Sequence, residues 1–288
     1  GLAMPPATAD HGASPLGELV STRRCETYTP ATAAALQQAQ AAFTDLLQGP
    51  AVPPDSMRRQ WQARGFELLA LAEDGTPWLV LREPPDTCRG QGLYLVRRDA
   101  GAGLMLQVPH GYRDLHTDDI GAGLLQAPWH VIAFNTVPRH YRRNGRRIDA
   151  DLAHREDTFF AALTRAFADI HPAGRLVQLH GFSPDRRSTA AGRSAAAIVS
   201  SGTAWPSAGA MAVADCLQGQ LQEPVRLYPR DVRELGATRN VQGRLLRERG
   251  HDGFVHVELG RPLRERLRHE QDLRSGFATC MGTGMIGE

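Results

Sequence analysis

From residue 104 onward, short apolar runs alternate with amphipathic stretches. The period switches from two to about 3.6 and back. The runs predict strands over 104–109, 129–136, 175–179, 195–200, 224–228 and 253–259. Between them the pattern predicts helices over 118–126, 156–170, 207–220, 240–249 and 262–272. Such alternation predicts an α/β fold: a mixed, mostly parallel central sheet with helices on both faces. The first hundred residues read differently. Residues 1 to about 20 are rich in Ala, Pro, Gly and Thr and read as a loose leader. Thr29-Pro30 reads as a helix start, with the helix running over 33–47 until Gly49-Pro50 stops it. A short helix is expected over 55–64. Strands are expected over 66–72 and 78–82 around a hairpin turn at Glu73-Asp74-Gly75-Thr76-Pro77, and over 93–97. The division that follows is an N-terminal helical and β-hairpin extension over 1–100, an α/β domain over 101–275 and a loose tail over 276–288.

Three of the apolar runs stop on polar residues. Leu104 to Pro109 ends on His110-Gly111, Leu176 to Leu179 on His180-Gly181, and the run from Phe254 on Glu258-Leu259-Gly260. In a parallel sheet these would reach the same edge, outside the carboxyl ends of the strands, where ligands bind. Neutral imidazoles and carboxylates are the ligands a catalytic zinc needs. The loop after His110 adds Asp114 and His116; read by itself, it is a solvated turn. Side chains alternate along a strand, so Phe254, His256 and Glu258 share one face. A carboxylate near the end of an apolar strand is costly to bury without a partner. A catalytic role or an ion pair with Arg261 or Arg264 would each supply the reason. His154 precedes a helix that begins near Glu156-Asp157, where it either caps the helix or contacts the site.

Composition narrows the picture. Apolar residues make up 42% of 288, which suits a globular chain with a large core. A balance of 33 basic and 31 acidic residues implies neither a nucleic-acid nor a membrane partner. No run approaches the length of a transmembrane helix. Every basic residue other than histidine is arginine, which reads first as coding bias, although arginine also suits carboxylate recognition. The densest charge run, Arg139 to Arg147, reads as a solvated loop, with a substrate-clamping arginine such as Arg142 as the alternative. Arg186 and Arg187, just after His180, are further candidates. Cys25, Cys88, Cys216 and Cys280 form no Cys-x-x-Cys pair. They permit two disulfides in three connectivities, and buried or free thiols is the simpler reading. No Gly-x-Ser-x-Gly elbow appears, and Ser183 is not flanked as that motif requires, which disfavours a serine hydrolase. The start at Gly1-Leu2-Ala3-Met4 leaves a cytoplasmic chain and an exported chain with its leader removed both open.

These residues carry a family resemblance over about 104–268. Pro109-His110-Gly111 followed by Asp114 and Thr117, Leu179-His180-Gly181, Asn240 through Arg244, and Val255-His256-Val257-Glu258-Leu259 with Arg264 resemble the motifs of zinc-dependent poly-γ-glutamate hydrolases. Those are relatives of metallocarboxypeptidases and N-formylglutamate amidohydrolases. The resemblance implies a zinc carboxypeptidase-like fold with Zn2+ on His110, Asp114 and His180, Glu258 as general base and acid, and His154 close to the site. The chain departs from the pattern with Asp114 in place of the usual Glu and with a loop one residue shorter, so His116 is an alternate ligand. The expected reaction is hydrolysis of an amide in a small-molecule or peptide substrate with a free carboxylate. The alternative is a non-catalytic metal- or ligand-binding module on the same scaffold.

Overall fold

A computed structural model describes residues 14–98 and 103–285. The strands are β1 (Glu67–Glu73), β2 (Thr76–Arg82), β3 (Leu93–Arg97), β4 (Leu104–Val108), β5 (Val131–Phe134), β6 (His140–Arg143), β7 (Arg146–Asp149), β8 (Arg175–Phe182), β9 (Ala197–Ser200), β10 (Val225–Leu227) and β11 (Phe254–Gly260). The helices are α1 (Pro15–Thr22), α2 (Ala33–Gln48), α3 (Asp55–Gln62), α4 (Thr117–Gly123), α5 (Phe159–Ile170), α6 (Ala190–Ser194), α7 (Ala208–Leu221), α8 (Val241–Arg247), α9 (Arg261–His269) and α10 (Gln271–Gly282).

Nine strands form one mixed sheet in the order β1-β2-β3-β5-β4-β8-β11-β9-β10. Its centre, β5-β4-β8-β11, is parallel, whereas β1, β2 and β3 join it as antiparallel strands on one flank. On the other flank β9 runs antiparallel to β11. The chain leaves β4 for β5 on one side and later returns to β8 on the other. That reversal opens a crevice beyond the carboxyl ends of β4 and β8, as it does in other open α/β sheets.

Strict alternation assigns the two faces. Leu104, Leu106, Val108, Val177, Leu179, Val255, Val257 and Leu259 pack in one core cluster with residues of α1, α4, α7, α9 and α10. Met105, Leu176 and Phe254 pack in a second cluster with α2, α3, α5 and α8. Gln178 and His180 follow Leu176 at two-residue spacing, as His256 and Glu258 follow Phe254. They therefore continue the second face beyond its apolar portion.

Five expectations are corrected. Part of the expected leader is the helix α1, capped by Ser14 and holding Leu16 and Val20 in the core; residues 1–13 lie outside the described residues. The second helix starts at a Thr32 cap, whose side chain accepts from the Ala35 amide, and not at Thr29-Pro30. Most of the expected tail is α10, because Phe277, Cys280 and Met281 recur on one face and are buried; residues 286–288 lie outside the described residues. The run Arg139–Arg147 is largely the β6–β7 hairpin, closed by Asn144-Gly145 with both φ angles positive, a strong hairpin-turn signature. The cysteines are not free thiols: they pair as Cys25–Cys88 and Cys216–Cys280, the latter tying α7 to α10.

Candidate metal centre

Beyond β4 the chain coils through one tight turn. The amides of Arg113 and Asp114 both donate to the His110 carbonyl, at 2.8 and 2.9 Å. Thr117 then holds the Asp114 carbonyl through its amide and its hydroxyl. This turn folds Asp114 back beneath His110. Across the crevice β8 delivers His180, and register places Glu258 beside it on β11. His110, Asp114, His180 and Glu258 are all buried. Gly181 has no room for a Cβ, because the Arg264 guanidinium packs against it. That guanidinium donates to the carbonyls of Leu115 and Phe182, so it fastens the Asp114 loop to the end of β8.

The atoms that converge are specific. Asp114 Oδ2 lies 3.5 Å from His110 Nδ1 and 3.3 Å from His180 Nδ1. The other ring nitrogens are occupied. His110 Nε2 lies 2.8 Å from Asp151 Oδ1, and His180 Nε2 lies 2.9 Å from Gln178 Oε1. Gln178 is fixed in turn: its Nε2 donates to Gln107 Oε1 and Gln242 Oε1, and its Oε1 also accepts from Asn240. An oxygen acceptor at each Nε2 puts the ring proton there, which leaves the Nδ1 lone pairs facing a carboxylate oxygen. His110 Nδ1 is buried and makes no hydrogen bond.

Electrostatics sharpen this arrangement. Burial pushes the His180 imidazole down to about 4, and the neighbouring His110 pushes it the same way. Burial also opposes charge on His110, but the Asp114 and Asp151 carboxylates more than offset it and raise its pKa. Burial would raise Asp114 too, yet His110 and His180 hold it well below the usual carboxylate range. Glu258 behaves oppositely. Burial, with the Asp114 charge beside it, lifts its carboxyl to about 8.

A cation fits these donors. A four-coordinate zinc with bonds near 2.0–2.1 Å separates its ligand atoms by roughly 3.3 Å. The two separations from Asp114 Oδ2 match that edge, and all three ligand atoms lie within 4.8 Å of one another. A cation would also satisfy lone pairs that otherwise confront an anion in a desolvated site.

The expected site residues fall into three groups. His110, Asp114, His180 and Glu258 line one cleft of about 490 Å³, together with Arg186 and also Arg113, Arg139, Arg187, Arg261 and Arg264. His154 is half-exposed and touches the cluster only through Asp151, with Nδ1 3.1 Å from Oδ2. His116 and Arg142 lie elsewhere. His116 sits between Asp119 and Glu265, and Arg142 donates to the Gly145 carbonyl in its own hairpin. The local turn explains the first: it is complete at Asp114, and His116 emerges beyond it to precede α4. Sequence reasoning missed Asp151, Gln178 and His256 as neighbours of the site. Gln178 had a readable signal, standing two residues before His180 on a buried strand. Asp151 had none, since 41 residues separate it from His110.

By sequence, no protein-family model and no curated protein matches this chain. Solved structures do show likeness. An N-formylglutamate amidohydrolase from Ralstonia eutropha JMP134 is 13% identical, over 67% of this chain and 96% of that one, with a TM-score of 0.42. A candidate carboxypeptidase A from Shewanella denitrificans OS-217 is 11% identical over 91% of this chain and 71% of that one, also at 0.42. The zinc-free form of YNDL is 12% identical over 62% of this chain and 81% of that one, at 0.35. At such scores these likenesses carry no argument about function, which rests on the geometry of the site.

Proposed function

We propose that this chain is a zinc-dependent hydrolase that cleaves an amide bond in a carboxylate-bearing small molecule or peptide. One observation carries the reading: the Nδ1 atoms of His110 and His180 face the same Asp114 oxygen while both Nε2 atoms are committed to fixed acceptors. That is a ligand set with its outer partners in place. When bound, the zinc supplies Lewis-acid polarisation of a carbonyl and acidifies water.

The protein's own residues supply the rest. Asp151 and Gln178 hold the two imidazoles in the tautomer that presents Nδ1. Glu258 stands beside His180 on the neighbouring strand, where a carboxylate can take a proton from water and return it to the leaving amine. Its raised pKa keeps the proton on in the metal-free protein, and a neighbouring cation would draw it back toward ionisation. The arginines of the cleft outnumber its two carboxylates, a surplus that suits a substrate carboxylate. Arg186 and Arg187 line the cleft just after β8. The two disulfides suit a chain that matures in an oxidising compartment.

The test is elemental analysis of the purified protein and of His180→Ala. About one zinc per chain, lost in the variant, is the expected outcome. A chain that takes up no zinc on reconstitution at neutral pH would overturn the reading.

A further inference from the structure

A second recess opens at the other end of β11. Strand β9 runs antiparallel to β11, so the loop after Ser200 leaves the sheet beside Phe254, at the end opposite the metal centre. A cavity of about 340 Å³ lies there, lined by Ser201, Thr203, Trp205, Ser207, Arg247 and Asp252, with His251 and Phe254 also in its wall. None of these residues lines the metal cleft. Trp205 is 85% exposed, whereas Trp61, Trp78 and Trp129 are fully buried. The loop that presents it is braced. The Ser201 and Thr203 hydroxyls donate to the Trp205 carbonyl, and Ser201 Oγ accepts from the Ser207 amide. Gly202, at φ +71°, and Gly243 leave the room that the Arg247 guanidinium and the Phe254 ring take. Among the described residues, neither Arg247 nor Asp252 has an ion-pair partner, and Arg247 donates only to the Ser201 carbonyl, at 3.5 Å. His251 is committed within the fold: its Nε2 reaches the His171 carbonyl and its Nδ1 accepts the Gly253 amide.

We propose that this recess binds a saccharide, with one pyranose ring stacked on Trp205. A pyranose whose hydroxyls are equatorial has flat C–H faces, and such a face meets the negative π-face of an indole. Its rim of hydroxyls needs donors and acceptors together. Arg247 supplies N–H donors and Asp252 acceptor oxygens. Ser207 adds a hydroxyl proton, because its Oγ already accepts from the Ala210 amide. The volume lies near the small end of the range for ligand pockets, about 300–1,000 Å³. One arginine and one aspartate leave the wall without net charge, which disfavours a phosphate or a nucleotide. A protein partner would need about 800 Å² of complementary surface, and of the exposed large apolar side chains only Trp205 lines this wall. Phe254 and Glu258 are four residues apart on β11, about 13 Å at the rise of a strand. The site therefore anchors a saccharide without entering the metal cleft, and the inference is independent of the zinc reading.

The experiment titrates the full chain with cellotetraose and with chitotetraose, which share all-equatorial rings and differ in their N-acetyl groups. Tryptophan fluorescence and calorimetry follow the binding. Because the other three tryptophans are buried, a fluorescence change reports on Trp205. Binding of at least one of the two sugars is expected, with the same affinity in His180→Ala. By calorimetry, Trp205→Ala should weaken it about 10-fold or more, and Trp205→Phe, which keeps a π-face, should restore most of the loss. Asp252→Asn, a change at an exposed position, should weaken it as well and reads the site without touching the tryptophan. A native chain that binds neither sugar would overturn the proposal. So would an affinity left unchanged by Trp205→Ala or by Asp252→Asn. Affinity lost in His180→Ala would place the sugar in the metal cleft, and tighter binding of adenosine monophosphate than of either sugar would make the recess a nucleotide site; each outcome would refute the proposal.

Discussion

Two groups of histidines occupy opposite ends of the parallel strands. His110 and His180 stand at the carboxyl ends of β4 and β8, with His256 beneath them on β11. His130, His171 and His251 each stand just before a parallel strand, at the amino ends of β5, β8 and β11. Both groups contain close ring pairs: 4.7 Å between the His110 and His180 centroids, and 5.0 Å between those of His130 and His171. Burial depresses one imidazole in each group to about 4, His180 above and His130 below. The groups differ in their partners. His130 Nδ1 meets His171 Nε2 at 2.8 Å, His251 Nε2 reaches the His171 carbonyl, and His251 Nδ1 accepts the Gly253 amide. Those bonds run between imidazoles and backbone groups. The upper cluster gathers around carboxylates and leaves His110 Nδ1, His256 Nδ1 and Glu258 Oε2 unsatisfied. Buried histidines alone therefore say little about a metal; a shared carboxylate and unspent lone pairs are what separate a ligand set from a structural knot.

The contrast can be broken most directly at Glu258. Glu258→Gln should retain its zinc and lose turnover by about 10²- to 10⁴-fold, measured on any amide the native enzyme cleaves. Turnover that survives would remove Glu258 from the proposed chemistry. A smaller effect is expected at Asp151. Replacing it with Asn leaves a poorer acceptor for His110 Nε2, so zinc affinity in a competition assay should fall about 10- to 100-fold. An unchanged affinity would make Asp151 a bystander.

The lower group supplies the control. His130→Asn should cost roughly 1–3 kcal/mol in denaturant unfolding, the range for a buried hydrogen bond left half-made, while zinc content stays that of the native chain. Loss of zinc in that variant would erase the distinction between the two ends.

Titration of stability in the metal-free protein gives the smallest and most diagnostic contrast. The folded pKa of His130 is depressed from 6.5 to about 4. Its contribution is present above pH 6.5 and is lost as pH falls toward 4. The folded pKa of Glu258 is raised from 4.5 to about 8. Its contribution is present below pH 4.5 and is lost as pH rises through 8. His130→Asn should therefore flatten the acid limb of melting temperature against pH, and Glu258→Gln the alkaline limb. The same limb responding to both variants would contradict the assignment.

Much of this was legible along the chain because strand ends are local events. An apolar run that stops at His-Gly marks both the end of a strand and the residue it delivers, and alternation alone puts His256 and Glu258 on one face. Helix α10 was misread despite a signal: Leu273, Phe277 and Cys280 recur at helical spacing, but its glycines made the segment read as a tail. Asn144-Gly145 announced a hairpin that the surrounding arginines obscured.

The sequence by itself determined the alternation of the main strands and helices from residue 104 onward, the two faces of the sheet and which side chains reach the carboxyl ends of the strands, because each follows from periodicity within a few residues. Only the tertiary structure decided that Asp114 and not His116 turns back beneath His110, that Asp151 and Gln178 fix the two imidazoles, and how the cysteines pair. Those outcomes depend on which segments meet across the crevice and between helices, over distances along the chain that no local pattern encodes.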